Sequence, residues 1–339
     1  MRQFTCTAPG VLEWRNVPEP ELTGKDSALI RPVAVARCEL DPTLVMGGPR
    51  TPEGFAVGHE AIVEVVAVGD DVGHVKPGDL VACSFQVCCG RCRSCVSGRT
   101  ALCDDYPILS DFGMQPLSGV EYGGMIADLV HVPHAAAMLQ PIPPGVDPVI
   151  IASVADNLAD GYRTVVPHLA EQPGVDVLVV CHGGPSVALY ATLAAIASGA
   201  GSVTFESDDD RSLEAAATLG ADAVRTDFGR RAGRWPIVVD CGSRVEGLHH
   251  ALESTEPEGT LHSVSYYADP MTPMPLLKLY TRGIRFFTGR VHSAALLPEL
   301  LDAIGDGTLD PGAVRPSVVA WDDAPERYLD DAIKVVVAR

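Results

Sequence analysis

The chain has 339 residues, 47% hydrophobic and 20% charged, which is enough for two domains each with its own core and too apolar for a disordered chain. Twenty-five lysines and arginines against forty-four acidic residues give a net charge of −19, which argues against nucleic acid or anionic lipid as a partner and whose plainest consequence is solubility. No apolar run reaches the roughly 18 residues that a membrane span needs, the stretch from Met1-Arg2-Gln3-Phe4 lacks the long apolar run expected of a signal peptide, and cysteines at metal spacing point to a reducing cytoplasm.

Up to about residue 150 the sequence shows short β-rich runs broken by Pro and Gly. Strands are expected at 28–36, 60–68, 79–82 and 124–132, with the turn Lys76-Pro77-Gly78-Asp79 among them. From Val175 the pattern changes. Strands at 176–181, 202–206, 221–224, 236–240 and 260–265 alternate with Ala/Leu-rich helices at 185–199, 211–219 and 245–253. Such alternation predicts βαβ units and a parallel sheet, hence an α/β class. A short strand at 286–288, an amphipathic helix at 294–304 and a β-like tail at 317–320 complete the chain. The expected organisation is a β-rich domain with a doubly wound domain inserted before its last portion: residues 1–155 and 300–339 in one, 156–299 in the other.

Within the β-rich part, Cys89, Cys92, Cys95 and Cys103 repeat at gaps of three, three and eight. Short C-x-x-C steps let thiolates converge on one tetrahedral ion, and a fourth from a short loop closes the shell. A closed four-thiolate lobe over 88–104 fits a zinc held for structure, with no open position for substrate. Disulfides or buried apolar cysteines are the competing explanations.

The valine-rich strand ending at Cys181 runs into His182-Gly183-Gly184-Pro185-Ser186 and then a helix. There, backbone N–H groups and the helix dipole can hold a pyrophosphate, and Pro185 fits the first helical position. Twenty-three residues past Gly183, Glu206 closes the next strand, placed to accept hydrogen bonds from the adenosine ribose and to repel a 2′-phosphate. The expected cofactor is therefore NAD rather than NADP, with Gly183, Gly184, Pro185, Ser186, Glu206 and Arg211 around it. Cys181 and Ser186 stand where the dinucleotide fingerprint has its first and last glycines. A bare βα turn is the alternative.

Three segments far apart carry further zinc-type ligands: Cys38 after a strand, His59 between Gly58 and Glu60, and Asp156 at the join of the two parts. Thiolate, imidazole and carboxylate leave a fourth position for water, alkoxide or Glu60, as a catalytic zinc requires. A ligating histidine usually gives its other N–H to a carboxylate, for which Asp41 is the candidate. Taken singly, Cys38 also reads as a buried hydrophobe, His59 as a satisfied core group, and Asp156 as the start of a helix over 157–166.

These residues carry a resemblance. The chain resembles the zinc-dependent medium-chain alcohol dehydrogenases along essentially its whole length, through Cys38-Glu39-Leu40-Asp41, Gly58-His59-Glu60, the four-cysteine lobe, Gly123-Gly124-Met125-Ile126-Ala127-Asp128, Asp156-Asn157-Leu158-Ala159-Asp160-Gly161-Tyr162, and the glycine turn followed by Glu206. It implies a GroES-like β domain plus a Rossmann domain, with the active site in the cleft between them. It also implies two zinc ions per chain: Cys38, His59 and Asp156 hold the catalytic one with Glu60 as exchangeable fourth ligand, and the cysteine lobe holds the other. Relatives assemble as dimers or tetramers, so a homodimer or homotetramer is expected.

The sequence departs from the family at Leu40, where relatives carry the Ser or Thr that starts the proton path, and at Thr43, where many place a relay histidine. Glu39, Glu60, Thr43 or a cofactor hydroxyl with water are the substitutes available. The leading expectation is reversible hydride transfer between an alcohol and NAD, giving an aldehyde or ketone. Leu40, Phe85, Phe112 and Met114 are candidates for the apolar pocket wall, and equally for ordinary core. A reductase of one elaborate carbonyl or activated alkene is the alternative. A second is a non-catalytic nucleotide-binding redox sensor using Cys181.

Overall fold

The structure is a computed structural model that describes residues 1–47, 54–229, 233–267, 269 and 271–339. The chain opens with β1 (Arg2–Ala8), β2 (Val11–Asn16), β3 (Ala28–Ala36), α1 (Leu40–Met46), β4 (Phe55–Ala56), β5 (Glu60–Val68) and β6 (Leu80–Cys83). Short helices α2 (Arg93–Val96) and α3 (Gln115–Ser118) precede β7 (Val130–Val132), α4 (Ala135–Met138) and β8 (Leu139–Pro141). An alternating stretch follows: α5 (Asn157–Glu171), β9 (Val177–His182), α6 (Pro185–Ala197), β10 (Val203–Ser207), α7 (Asp210–Leu219) and β11 (Asp222–Arg225). It continues through β12 (Trp235–Gly242), α8 (Val245–Ser254), β13 (Thr255–Ser263), α9 (Leu276–Arg282) and β14 (Arg285–Thr288). The last elements are α10 (Ser293–Gly305), β15 (Ser317–Ala320), α11 (Ala324–Arg327) and β16 (Val335–Ala338). Two compact units result, one made of Met1–Ala159, His292–Gly307 and Arg315–Arg339, the other of Asp160–Val291 and Thr308–Val314.

In the first unit, the strands run β15-β16-β3-β5-β6-β8 with β7 also on β3, and a separate sheet runs β2-β1-β4. Its spine is the antiparallel pair β3–β5, whose Val35, Ala61, Val63 and Val65 are fully buried. Pro32 has no N–H to give to that ladder, and the pairing register shifts between Pro32 and Ala34, where a missing donor is tolerated. Ala36 pairs with Glu60, so the chain leaving β3 and the chain entering β5 emerge at the same end. Of the strand expected at 124–132, only Val130–Val132 forms a ladder. The stretch before it lies extended instead, with Met125 N–H donating to Gly58 O and Phe4 N–H to Ile126 O.

The second unit holds a parallel sheet in the order β11-β10-β9-β12-β13-β14, the doubly wound arrangement. Every residue of central strand β9 is buried, as the unbroken apolar run Val177–Cys181 requires when helices cover both faces, and the closing His182 is paired with Asp240. Among the described residues no helix is long and apolar enough to cross a membrane.

Candidate functional site

The cysteine lobe is built by α2 and the turns around it. The sulfurs of Cys89, Cys92, Cys95 and Cys103 all lie within 4.8 Å of one another, and Cys92 Sγ is 3.8 Å from Cys103 Sγ. Backbone N–H groups point at these sulfurs: Cys92 N–H to Cys89 Sγ at 3.3 Å, Cys95 N–H and Asp104 N–H to Cys92 Sγ at 3.4 and 3.3 Å, and Cys89 N–H to Cys103 Sγ at 3.4 Å. The Asp104 and Cys95 amides bring the Cys92 thiol down to about 7, whereas burial pushes Cys89 up to about 11. Zinc about 2.3 Å from each of four sulfurs would set them about 3.8 Å apart, so this lobe fits the ion. Among the described residues every cysteine is a free thiol.

At the common end of β3 and β5, Cys38 follows Arg37 and His59 precedes Glu60. Gly58 turns the chain into β5 at φ +89°, and a Cβ there would sit 2.7 Å from Ile126 Cγ1, so both conformation and space call for glycine. Asp156, in the turn before α5, completes the group. Ligand atoms of Cys38, His59, Glu60 and Asp156 lie within 4.8 Å of one another. His59 Nε2 is 3.3 Å from Asp156 Oδ2, and its ring stacks at a tilt on Phe85, centroids 5.3 Å apart. Thr43 is exposed on α1, and Leu40 packs against the core. Phe112 and Met114 are buried core residues.

The electrostatics are those of a pocket built for a cation. Burial alone would lower the proton affinity of His59, but Asp41 and Asp156 outweigh it and raise it well above the usual imidazole range. Burial, reinforced by Asp156, holds the Cys38 thiol far up, and burial against Lys334 leaves Glu60 at about 7. Each potential anion thus makes its neighbours harder to ionise, a conflict that a divalent ion resolves. The donor set, sulfur, nitrogen and carboxylate oxygens, is one that zinc accepts.

Around these four residues stands a second set of contacts. Asp41 Oδ1 lies 3.3 Å from His59 Nδ1, a charge contact in which the ring N–H makes no aligned hydrogen bond. Its Oδ2 accepts from Cys38 N–H at 3.0 Å and from Tyr328 O–H at 2.6 Å. Asn157 donates its amide to Glu39, tying the residues that follow Cys38 and Asp156. Lys334 Nζ donates to both oxygens of Glu60, and Arg37 donates to the carbonyls of Tyr328, Asp330 and Ala332. Tyr328 and Lys334 escape a reading of the sequence. The one weak signal is a lone lysine directly before the apolar run Val335-Val336-Val337.

In the second unit, β9 ends at His182 and the chain turns through Gly183 at φ +144°, which only glycine adopts readily. Gly184 is the N-cap of α6, Pro185 its first residue, and Ser186 is fully buried. Glu206 departs from expectation in its placement. Alternation along β10 turns it to the side covered by α8, where it is 1% exposed and meets His250 Nε2 at 2.5 Å. The acidic groups that do reach the surface beyond β10 are Asp208, Asp209 and Asp210, with Arg244 Nη1 2.8 Å from Asp208 and Arg211 Nε 3.9 Å from Asp209.

Residues 24–144 match the alcohol dehydrogenase GroES-like domain. An L-threonine 3-dehydrogenase of Streptomyces coelicolor is 30% identical over 73% of this chain and 71% of its own. A Mycobacterium tuberculosis protein named as a zinc-binding alcohol dehydrogenase is 28% identical over 97% of this chain and 84% of its own. The chain belongs to the zinc-type, medium-chain alcohol dehydrogenase family. Among solved structures, the alcohol dehydrogenase TADH from Thermus sp. ATN1 superposes with a TM-score of 0.89 at 25% identity, covering 100% of this chain and 99% of that one. As a family member the protein is an oxidoreductase of the dehydrogenase class, with a GroES-like unit and a Rossmann-type unit.

Proposed function

We propose that this dehydrogenase catalyses reversible hydride transfer between an alcohol and NAD, giving an aldehyde or ketone, with zinc at Cys38, His59, Glu60 and Asp156. The observation that carries the reading is the convergence of those four side chains, from three separate segments, to within 4.8 Å. When bound there, zinc supplies Lewis-acid polarisation of the substrate oxygen. Cys38, His59 and Asp156 hold the site, Glu60 serves as exchangeable fourth ligand, and Phe85 shields one side of the His59 ring. The cysteine lobe is the structural zinc site, giving two zinc ions per chain.

Gly183, Gly184, Pro185 and Ser186 receive the pyrophosphate at the N-terminus of α6. The preference for NAD over NADP rests on Asp208, Asp209 and Asp210, whose negative charges oppose a 2′-phosphate, rather than on Glu206. Leu40, packed against the core where relatives have a hydroxyl, favours a second reading: a reductase of one elaborate carbonyl or activated alkene, drawing its proton from water.

The test is spectrophotometric. Zinc-replete protein is given NAD with a panel of alcohols, or NADH with carbonyls, and absorbance at the reduced-nicotinamide band is followed. Turnover that Cys38→Ser abolishes, with NADH binding retained, supports the reading. Silence across both panels sinks it, and turnover with NADPH and a single carbonyl selects the reductase.

A further inference from the structure

Three connections to the Cys38–His59–Glu60–Asp156 cluster come from one short segment near the C-terminus. Tyr328 donates to Asp41 Oδ2 at 2.6 Å, Lys334 donates to Glu60 at 2.9 and 3.1 Å, and the carbonyls of residues 328, 330 and 332 accept from Arg37, which directly precedes Cys38. Tyr328 is fully buried and Asp41 nearly so, at 0% and 2% exposure, so neither side chain has water as an alternative partner.

The geometry of Asp41 decides what Tyr328 does. A carboxylate in a closed pocket needs its oxygens occupied to keep one orientation. Oδ2 is filled twice, by Cys38 N–H and by Tyr328 O–H, which turns Oδ1 toward His59 Nδ1 at 3.3 Å. Nδ1 thus faces the Asp41 carboxylate in a charge contact without an aligned hydrogen bond, and Nε2 is the nitrogen 3.3 Å from Asp156 Oδ2. The tyrosine ring cannot drift, because Phe4 packs edge-on against it at 5.6 Å and Arg37 holds its carbonyl.

We propose that Tyr328 is a positioning residue for the zinc site, acting through Asp41 to fix the orientation of His59. This rests on the zinc reading given above. Tyr328 is not one of the four residues whose ligand atoms converge; its hydroxyl sets the carboxylate that sets the imidazole. Partners of this kind typically contribute about 10- to 100-fold to metal affinity.

Tyr328→Phe removes the hydroxyl and keeps the ring. The full chain is loaded with zinc and titrated with a chromophoric chelator, and the cobalt-substituted protein is followed by its visible absorption. The wild type should hold two ions. In Y328F one, in the cysteine lobe, should be held as before, while the other should weaken by about 10- to 100-fold with a shifted cobalt band. Retention of the lobe zinc reports that the unit has folded. Asp41→Asn should weaken the same ion, and the Y328F/D41N pair should lose little beyond D41N alone, since both changes break one chain of contacts. Unchanged affinity in Y328F, or losses that simply add, would overturn the proposal. A wild type that takes up a single zinc would overturn the catalytic-zinc reading first, and this with it.

Discussion

Lys334 Nζ lies 2.9 and 3.1 Å from the two carboxylate oxygens of Glu60, and neither side chain has any exposed surface. Taking both charges out of water is costly, and the pair stands because each neutralises the other. Removing one partner strands the other. Lys334→Met should therefore cost about 3–5 kcal/mol in unfolding free energy, while Lys334→Met with Glu60→Gln should recover a large part of it. Urea unfolding followed through Trp14 and Trp321, both in the first unit, reads this directly. Equal loss in the single and double variants would mean the ion pair is not what holds Glu60.

The cofactor preference offers a second test, because two acidic candidates make opposite forecasts. Glu206 is buried against His250, so Glu206→Gln should lower stability and leave NAD affinity unchanged in calorimetry. Asp208 is 42% exposed and engages Arg244. Asp208→Ser removes a negative charge from the surface beyond β10 and frees Arg244, and should raise NADP affinity roughly tenfold, the size of one close charge contact near a surface. A gain of NADP binding in E206Q instead would return the ribose contact to Glu206.

The contrast between these residues marks how far the sequence can be read. Cys38 and His59 are legible because strands 28–36 and 60–68 are strongly β-patterned and form over those same residues, and antiparallel pairing then brings their ends together. The cysteine spacing is likewise local, so its convergence follows from short loops. The burial of Glu206 against His250 is not legible, because a strand's period of two makes facing depend on a single residue of register, which distance from a glycine turn does not specify. Strands β1, β2, β4, β8 and β16 go unanticipated, as do Tyr328 and Lys334 at the site. Their partners lie 287 and 274 residues away, and no local periodicity encodes a contact that distant.

For the cysteine lobe the prediction is physical removal. Cys95→Ser should lower zinc content by one ion per chain and leave the second ion in place. Arg91, Arg93 and Arg99 lie inside the lobe, so its opening should appear as rapid tryptic cleavage there, as should chelation of the wild type. Resistance to trypsin in zinc-free protein would show that the lobe holds itself together without the ion.

Acid stability of the second unit should depend on His262. It is 7% exposed on β13, accepts from Arg163 Nη1 at 2.8 Å through Nε2, and lies 3.2 Å from His168 Nε2 through Nδ1. Burial, then the Arg163 charge, then His168 bring it down to about 3, and burial lowers His168 as well. An unfolded histidine titrates near about 6.5, so above that pH neither state binds the proton and stability is complete. As pH falls from there toward about 3, the unfolded chain takes up a proton that the folded one refuses, and stability drops by up to about 1.4 kcal/mol per pH unit for this group. His262→Gln should be less stable at neutral pH through lost packing, yet show a shallower fall in urea midpoint, read by Trp235, between about pH 7 and about pH 5. Parallel slopes in variant and wild type would mean that His262 takes up its proton without opening the β13 contact.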